Sequence, residues 1–210
     1  MSTTLVIYGA GGHGKSVVDL AVACGYENLC ILDDNPRKIR LLKWSVESSA
    51  GFLDNAGKAF EFVVAIGDNA ARRCRYDQLS AAGGTAVTLL HPRAWVSPFA
   101  SLGGGTVVFG GAIVNADGRI GANCIINTQA GVDHDCIVAD HVHVGPGAGL
   151  AGGVQVGNGS FIGMGARLLP GVQLGERTVI GAGAIVRHNI PADARAYGIP
   201  ARVVEPSKKS

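Results

Sequence analysis

The segment Val132-Asp-His-Asp-Cys-Ile137 carries three adjacent ionisable side chains, Asp133, His134 and Asp135. A histidine titrates near neutral pH, so its imidazole can accept a proton from an attacking group. A neighbouring carboxylate can hold the imidazole in one tautomer and stabilise the imidazolium that forms. The residue types therefore predict His134 as a general base supported by Asp135. The alternative is that His134 is an ordinary surface residue at a turn.

A glycine-rich turn near the start of the chain has the composition of a phosphate-binding loop. The segment Gly9-Ala-Gly-Gly-His-Gly14 fits G-x-G-x-x-G between a predicted strand, Thr4–Tyr8, and a predicted helix, His13–Cys24. Backbone amides in that context can contact a pyrophosphate. Asp33 or Asp34 ends the next predicted strand about 20 residues further on, where a carboxylate can bind a ribose hydroxyl. The pattern favours a nucleotide site over a plain turn with acidic caps.

A six-residue repeat must position the histidine segment. Sixteen aliphatic residues occupy every sixth position from Val96 to Val186, and a small or β-branched residue follows four positions after each of the first fifteen. This period predicts a left-handed parallel β-helix, in which three hexads form one triangular coil. Antiparallel hairpins would instead give a period of two and turns of variable length.

The residues before the repeat alternate between predicted strands and helices, which is typical of a small parallel sheet covered by helices. The further elements expected there are strands over Leu29–Leu32, Phe62–Ile66 and Ala86–Leu90 and a helix over Arg72–Ala82. We therefore expect a Rossmann-like α/β domain over residues 1–92, the β-helix over 93–190 and a C-terminal tail over 191–210.

The composition excludes several classes of partner. The net charge of +2 over 210 residues is too small to indicate that the protein binds nucleic acid. The five cysteines show no metal-ligand spacing, which indicates a protein without a metal in the reducing cytoplasm. The sequence shows no signal peptide and no apolar run of about 18 residues, so we expect no membrane insertion.

Several motifs together resemble a known family. The hexads, His134-Asp135, His143 and the tail Tyr197-Gly-Ile-Pro-Ala-Arg202 resemble the hexapeptide acyltransferases. The Gly11-Gly-His-Gly14 turn and the segment Ala65-Ile-Gly-Asp-Asn69 narrow the resemblance to one group, the sialic-acid O-acetyltransferases and nucleotide-amino-sugar N-acetyltransferases.

This resemblance implies a homotrimer that binds acetyl-CoA between neighbouring prisms and a sugar nucleotide on the N-terminal domain. It implies that His134 is the general base and that Asp135, which some members replace by Glu, is its carboxylate. Asn127 and His143 match residues near the acetyl group and the thioester. The residues that match nucleotide-binding positions are Gly9, Gly12, His13, Asp33, Asp34 and Asp68. Those that match the course of the coenzyme are Gly163, Gly181, Ile199, Pro200, Ala201 and Arg202.

The expected reaction is acetyl-CoA-dependent N-acetylation of a 4-amino-4,6-dideoxy sugar carried on UDP or GDP, with no metal. One alternative is O-acetylation of a sialic acid or a related nonulosonic acid. A second alternative, from another class, is a non-enzymatic trimeric β-helix that serves as a binding scaffold.

Overall fold

The computed structural model describes residues 4–54 and 59–204. The first part of the chain is an α/β domain. Its elements, in chain order, are β1 (Leu5–Tyr8), α1 (Gly12–Ala23), β2 (Leu29–Asp33), β3 (Arg40–Leu41), β4 (Trp44–Ser48), α2 (Ser49–Asp54), β5 (Glu61–Val64), α3 (Asn69–Ala81) and β6 (Thr85–Ala86). The sheet order is β3-β4-β2-β1-β5-β6, and its pairs are parallel except for the antiparallel pair β3–β4.

Strand β1 is buried on both faces, as expected for a central strand of a parallel sheet. Leu5 and Ile7 pack in one apolar cluster with Val17 of α1, whereas Val6 packs on the other face in a cluster that includes Leu79 of α3. The two helices therefore cover opposite sides of the sheet. This confirms the predicted α/β class.

The predicted elements of this domain differ from the structure at several points, including the start of α3 and the strands β3 and β4. Helix α3 begins at Asn69, three residues before the predicted start, because the Asp68 carboxylate caps it by accepting a hydrogen bond from the Ala71 amide at 2.8 Å. The hairpin β3–β4 was not predicted: β3 has only two residues, and the alternation of apolar and polar residues in β4, Trp44-Ser-Val-Glu47, is too short to indicate a strand by itself.

The second part of the chain is a prism of short strands. In chain order they are β7 (Leu89–Leu90), β8 (Trp95–Val96), β9 (Ser101–Leu102), β10 (Val107–Val108), β11 (Ile113–Val114), β12 (Arg119–Ile120), β13 (Ile125–Ile126), β14 (Gly131–Val132), β15 (Ile137–Val138), β16 (His143–Val144), β17 (Gly149–Leu150), β18 (Gln155–Val156), β19 (Phe161–Ile162), β20 (Arg167–Leu168), β21 (Gln173–Leu174), β22 (Val179–Ile180), β23 (Ile185–Val186), β24 (Arg195–Tyr197) and β25 (Arg202–Val204). Each of the sixteen periodic aliphatic residues is the second residue of one strand from β8 to β23.

The strands form three sheets, each one face of the prism, and their pairs are parallel except for the antiparallel pair β24–β25 at the end of the first face. Val108 pairs with Ile126, eighteen residues away, and this offset repeats from coil to coil. The first face contains β7, β10, β13, β16, β19, β22, β24 and β25; the second contains β8, β11, β14, β17, β20 and β23; the third contains β9, β12, β15, β18 and β21. The fold is the predicted left-handed β-helix.

The periodic residues form the core of the prism. The aliphatic stack is buried from Val108 to Val186, and the small residues at the other inward position, including Cys124 and Cys136, are buried with it. The glycine that follows many of the aliphatic residues allows adjacent coils to approach closely. At Gly163, for example, an added Cβ would lie 2.5 Å from the Ala182 nitrogen.

The α/β domain packs on the first face of the prism. Val107 and Ile125 of that face belong to the same apolar cluster as Val17 of α1. The predicted strand over Ala86–Leu90 is divided at this junction, since β6 joins the α/β sheet while β7 pairs with β10. The domain limits at residues 92 and 190 remain proposals, and the pairing of β7 favours a first limit a few residues earlier. Within residues 4–54 and 59–204, no helix has the length and apolar character needed to cross a membrane.

Candidate active site

His134 lies in the turn between β14 and β15, at the edge shared by the second and third faces. Its Nδ1 atom is 2.7 Å from Oδ2 of Asp135, and its side chain is 63% exposed. Because a carboxylate only accepts hydrogen bonds, the shared proton belongs on Nδ1, and Nε2 of the neutral ring keeps a lone pair. In the described parts of the chain, Nε2 has no hydrogen-bond partner, so it is available to take a proton.

The coils on either side hold this turn in place. Oδ1 of Asp133 accepts hydrogen bonds from the His134 amide at 2.8 Å and from Nδ2 of Asn115, one coil earlier, at 3.0 Å. The imidazole lies over Gly152 of the next coil, where an added Cβ would be 2.6 Å from its Cε1 atom. The hydrogen bond to Asp135, followed by the charge of Asp133, raises the pKa of His134. The turn therefore stabilises the imidazolium that a general base becomes.

His143 occupies a different environment, buried in β16 on the first face. Its Nε2 atom is 3.0 Å from Nδ2 of Asn127, and its Nδ1 atom is 3.4 Å from the carbonyl oxygen of Gly67 in the α/β domain. Its ring meets that of Phe161 edge-on at a centroid distance of 5.0 Å. Burial, followed by the positive charge of Arg72, lowers the pKa of His143 to about 4. The structure thus places Asn127 and His143 together, with His143 neutral at physiological pH.

A cavity of about 360 Å³ lies in the α/β domain at the carboxyl ends of β1, β2 and β5. This edge is where open parallel sheets bind ligands. The residues that line this α/β cavity are Tyr8, Gly9, Gly11, Gly12, His13, Asp33, Asp34, Lys38, Ala65, Ile66, Gly67, Ala71 and Arg75. Five of the six residues predicted for the nucleotide lie together here. Asp68 is not among the lining residues, and its carboxylate is engaged as the cap of α3.

Asp33 connects the glycine-rich turn to the rest of the α/β cavity. Its Oδ2 atom accepts hydrogen bonds from the Ala10 amide at 2.7 Å and from Nζ of Lys38 at 3.2 Å, and Oδ1 accepts from the Asn35 amide at 2.9 Å. Burial alone would raise the pKa of Asp33, but the hydrogen bonds from Ala10, Asn35 and Lys38 outweigh it and lower that pKa. The charged carboxylate therefore holds Lys38 beside the turn.

Asp34 lies at the opposite side of β2 and accepts hydrogen bonds from Oγ of Ser49 and from the guanidinium of Arg75. Burial would raise the pKa of Asp34, but the hydrogen bond from Ser49 and the charge of Arg75 contribute to lowering it. Neither Lys38 nor Arg75 was predicted from the sequence, because neither belongs to a recognisable motif. The cluster Arg37-Lys38 is the only hint that a cation accompanies Asp33.

His13 joins the α/β cavity to the first face of the prism. Its ring centroid lies 5.6 Å from that of Phe109 and 6.1 Å from that of His143. Burial, followed by the charge of Arg72, lowers the pKa of His13 to about 4. Its Nε2 atom is buried and has no hydrogen-bond partner among the described residues. His13, His143 and Asn127 therefore form a connected group between the two domains.

The residues predicted to contact the coenzyme gather in the last coils. Gly163 and Gly181 lie in successive turns between the first and second faces, and the ring of Tyr197 occupies the space that a side chain at Gly181 would need. In the tail, the Ala201 amide donates to the Ile185 carbonyl at 2.8 Å, while Ile199 is exposed. Pro200 and Arg202 flank Ala201 in the same stretch. Contact of these residues with a coenzyme remains a prediction.

The structure of one chain does not bring the two histidine groups together. Asn127 begins the turn between the first and second faces, whereas His134 lies in the turn between the second and third faces. The two turns are at opposite edges of the second face. Among the described residues, no cluster of three or more His, Cys, Asp or Glu side chains could hold a metal ion.

Comparisons with known proteins agree with this arrangement. Residues 4–79 match the family model of the PglD N-terminal domain, and residues 153–188 match the model of the bacterial transferase hexapeptide (six repeats). GDP-perosamine N-acetyltransferase of Escherichia coli O157:H7 is 28% identical over 162 residues, which cover 74% of this chain and 73% of the relative.

Two groups of solved structures match almost the whole chain. PerB from Caulobacter crescentus, in complex with CoA and GDP-perosamine, is 39% identical, with a TM-score of 0.89 over 98% of this chain and 99% of that chain. The acetyltransferase domain of PglB from Neisseria gonorrhoeae FA1090, in complex with acetyl coenzyme A, is 36% identical, with a TM-score of 0.92 over 97% of this chain and 100% of that chain. Identity at this level over both chains shows that the protein belongs to the hexapeptide-repeat nucleotide-amino-sugar N-acetyltransferases.

Proposed function

We propose that the protein transfers the acetyl group of acetyl-CoA to the 4-amino group of a GDP-linked 4-amino-4,6-dideoxy sugar. The observation that carries this proposal is the free Nε2 lone pair of His134, whose Nδ1 atom is held by Asp135 at 2.7 Å. The similar PerB and PglB structures contain CoA with GDP-perosamine, or acetyl-CoA, and these ligands support both substrates.

In the proposed reaction, the neutral amine of the sugar attacks the thioester carbonyl carbon. The new carbon–nitrogen bond forms, the carbon–sulfur bond breaks, and the proton lost by nitrogen passes to Nε2 of His134. Asp135 stabilises the resulting imidazolium, which then returns the proton to the leaving sulfur. An amine is a good nucleophile once it is neutral, so we expect His134 to accelerate the reaction without being indispensable.

We further propose that the active protein is a homotrimer. The α/β cavity and the Asn127–His143 pair lie on the first-face side of the prism, whereas His134 lies at its opposite edge. A second copy can therefore supply His134 to a sugar bound by the first copy. The exposed apolar residues Ile113 and Ile137 on the second and third faces support association of these faces.

The α/β cavity is the proposed nucleotide site. The backbone amides at the start of α1 and the Lys38 ammonium suit a diphosphate, because both present positive charge at the glycine-rich turn. We propose GDP rather than UDP as the carrier because GDP-perosamine is bound in the PerB complex. All five cysteines are free thiols, which supports the proposed cytoplasmic location.

The decisive assay measures CoA thiol release and product mass with acetyl-CoA and a panel of acceptors. The panel contains GDP-perosamine, a UDP-linked 4-amino-4,6-dideoxy sugar and a sialic acid. We expect turnover with the GDP-linked amine and formation of its N-acetyl product. Turnover with the sialic acid alone would establish O-acetylation instead, and binding without turnover of any acceptor would establish a scaffold.

A further inference from the structure

Arg72 of α3 is almost completely buried, with 1% of its surface exposed. In the described parts of the chain it has no carboxylate partner, and its hydrogen bonds go instead to oxygens from both domains. These acceptors are the carbonyls of Asn123 (3.0 Å), Ile66 (3.1 Å), Gly67 (3.2 Å) and His141 (2.8 Å) and Oδ1 of Asn69 (2.8 Å). One guanidinium thus joins the turn between β5 and α3 to two turns of the prism.

Burying a charge between two domains carries an unfavourable desolvation free energy. Burial lowers the pKa of Arg72 to about 10, which leaves the guanidinium charged at neutral pH. Transferring a charge out of water costs several kcal/mol unless it is well compensated, and apolar contacts often stabilise an interface as well. Domain packing alone therefore does not explain why an arginine occupies this position.

The carbonyl of Gly67 links Arg72 to the His143 group. It accepts a hydrogen bond from Nη1 of Arg72 and lies 3.4 Å from Nδ1 of His143. A carbonyl oxygen cannot donate, so the His143 proton must be on Nδ1, and Nε2 must accept from Nδ2 of Asn127 at 3.0 Å. The charge of Arg72 also contributes to lowering the pKa of His143, which keeps the ring neutral and able to accept at Nε2.

This chain of hydrogen bonds determines which way the Asn127 amide points. Oδ1 of Asn127 accepts a hydrogen bond from the Thr128 amide at 2.8 Å, and one N–H of Nδ2 points to His143. In the described parts of the chain the second N–H has no partner, and Asn127 is only partly buried. Asn127 therefore presents one donor outward at the edge of the second face, where it can stabilise an oxyanion.

We propose that Arg72 is a positioning residue for acetyl transfer, which acts through Gly67 and His143 to keep the outward N–H of Asn127 directed at the reacting acetyl group. This inference rests on the proposed function for the identity of the acetyl group. The hydrogen-bond chain itself is a property of the free protein and can be tested without any reaction.

The first experiment determines the His143 tautomer by 15N NMR on protein labelled at histidine nitrogens. We expect the Nδ1–H form in the wild-type protein and loss of that form, wholly or in part, in Arg72→Lys. An Nε2–H tautomer in the wild-type protein would overturn the proposal, because Asn127 could then not donate to His143. This result is decided by structure alone, so it stands even if the proposed acetyl transfer is not observed.

The second experiment compares kcat in a double-mutant cycle of Arg72→Lys and Asn127→Ala. We expect Arg72→Lys to lower kcat about tenfold while GDP binding, measured by calorimetry, is retained. In the Asn127→Ala background the same change should cause no further loss, since Arg72 acts through Asn127. Losses that multiply in the double variant, or an Arg72→Lys variant with wild-type kcat, would overturn the proposal.

The control variant is Arg73→Lys, one residue further along α3. Arg73 is 63% exposed and pairs with Asp77, so the same chemical change occurs on the same helix outside the hydrogen-bond chain. We expect wild-type kcat and a wild-type His143 tautomer. A loss in Arg73→Lys equal to that in Arg72→Lys would show a general effect on α3 and would contradict the specific role of Arg72.

Discussion

Replacing Gly152 with alanine should impair catalysis through His134 while leaving the fold intact. An added Cβ would lie 2.6 Å from Cε1 and 2.7 Å from Nε2 of the imidazole, whereas ordinary contacts begin at 3.4 Å. The ring must therefore retreat by roughly 0.8 Å. A displacement of about 1 Å at a reacting group can cost about 10²-fold in rate, or about 2.7 kcal/mol of transition-state stabilisation. Because the His134 side chain is 63% exposed and can move aside without disturbing the core, we expect little change in melting temperature.

The assay is kcat for acetyl transfer, together with GDP binding by calorimetry and thermal melting. Gly131→Ala provides a matched control, because it adds the same methyl group three residues before His134 where no atom lies within 4 Å. Gly152→Ala should add no loss in a His134→Ala background, since the displaced ring is already absent. An unchanged kcat in Gly152→Ala, or an equal loss in Gly131→Ala, would refute the reasoning.

Four further predictions concern pH dependence and the glycine-rich turn. Asp135→Asn should move the acid limb of the kcat profile to lower pH, because the carboxylate raises the pKa of His134; an unmoved limb would contradict this. Gly12→Val should weaken GDP binding, because the added side chain would crowd the α/β cavity that Gly12 lines. Coenzyme binding and melting temperature should stay unchanged, because no protein atom lies within 4 Å of the new Cβ. Gly14→Ala should instead lower the melting temperature, since its Cβ would overlap a backbone carbonyl oxygen; equal melting temperatures would disprove the contrast. The unfolding free energy should fall as pH drops from 6.5 towards 4, because His13 and His143 bind protons in the unfolded state but, with pKa values of about 4, much less readily in the folded state. In urea titrations the fall should be smaller in His143→Gln by at most about 3 kcal/mol, and the part due to His13 should persist; an equal fall in both proteins would contradict this.

The architecture of the prism could be predicted because its determinants are local and repeated. Each hexad needs an inward aliphatic residue such as Val132, a small residue four positions later such as Cys136, and a turn between them. The same pattern therefore recurs in the sequence wherever it recurs in space. The proposed catalytic pair could be predicted for a similar reason, since Asp135 follows His134 directly in the chain and contacts it in the structure.

The interdomain group could not be predicted, because its contacts join distant parts of the chain. Arg72 reaches Asn123 and His141, which are 51 and 69 residues away, and nothing in its immediate sequence indicates burial. Lys38 is only five residues from Asp33, but its salt bridge of 3.2 Å depends on the conformation of the loop between β2 and β3, which carries no recognisable motif. The buried, neutral state of His143 likewise follows from packing of the α/β domain on the first face.

The most direct test of the shared site mixes two impaired variants, His134→Ala and Gly12→Val, within the same proposed trimers. His134→Ala keeps the nucleotide site and Gly12→Val keeps the general base, so an interface between one copy of each variant can contain both. Random mixing of equal amounts should restore about a quarter of the wild-type activity, because about three quarters of the trimers are mixed and each of these has one intact interface out of three. If the mixed trimers are no more active than the two variants alone, every site lies within a single copy, and the account of a base supplied by a neighbouring protomer is wrong.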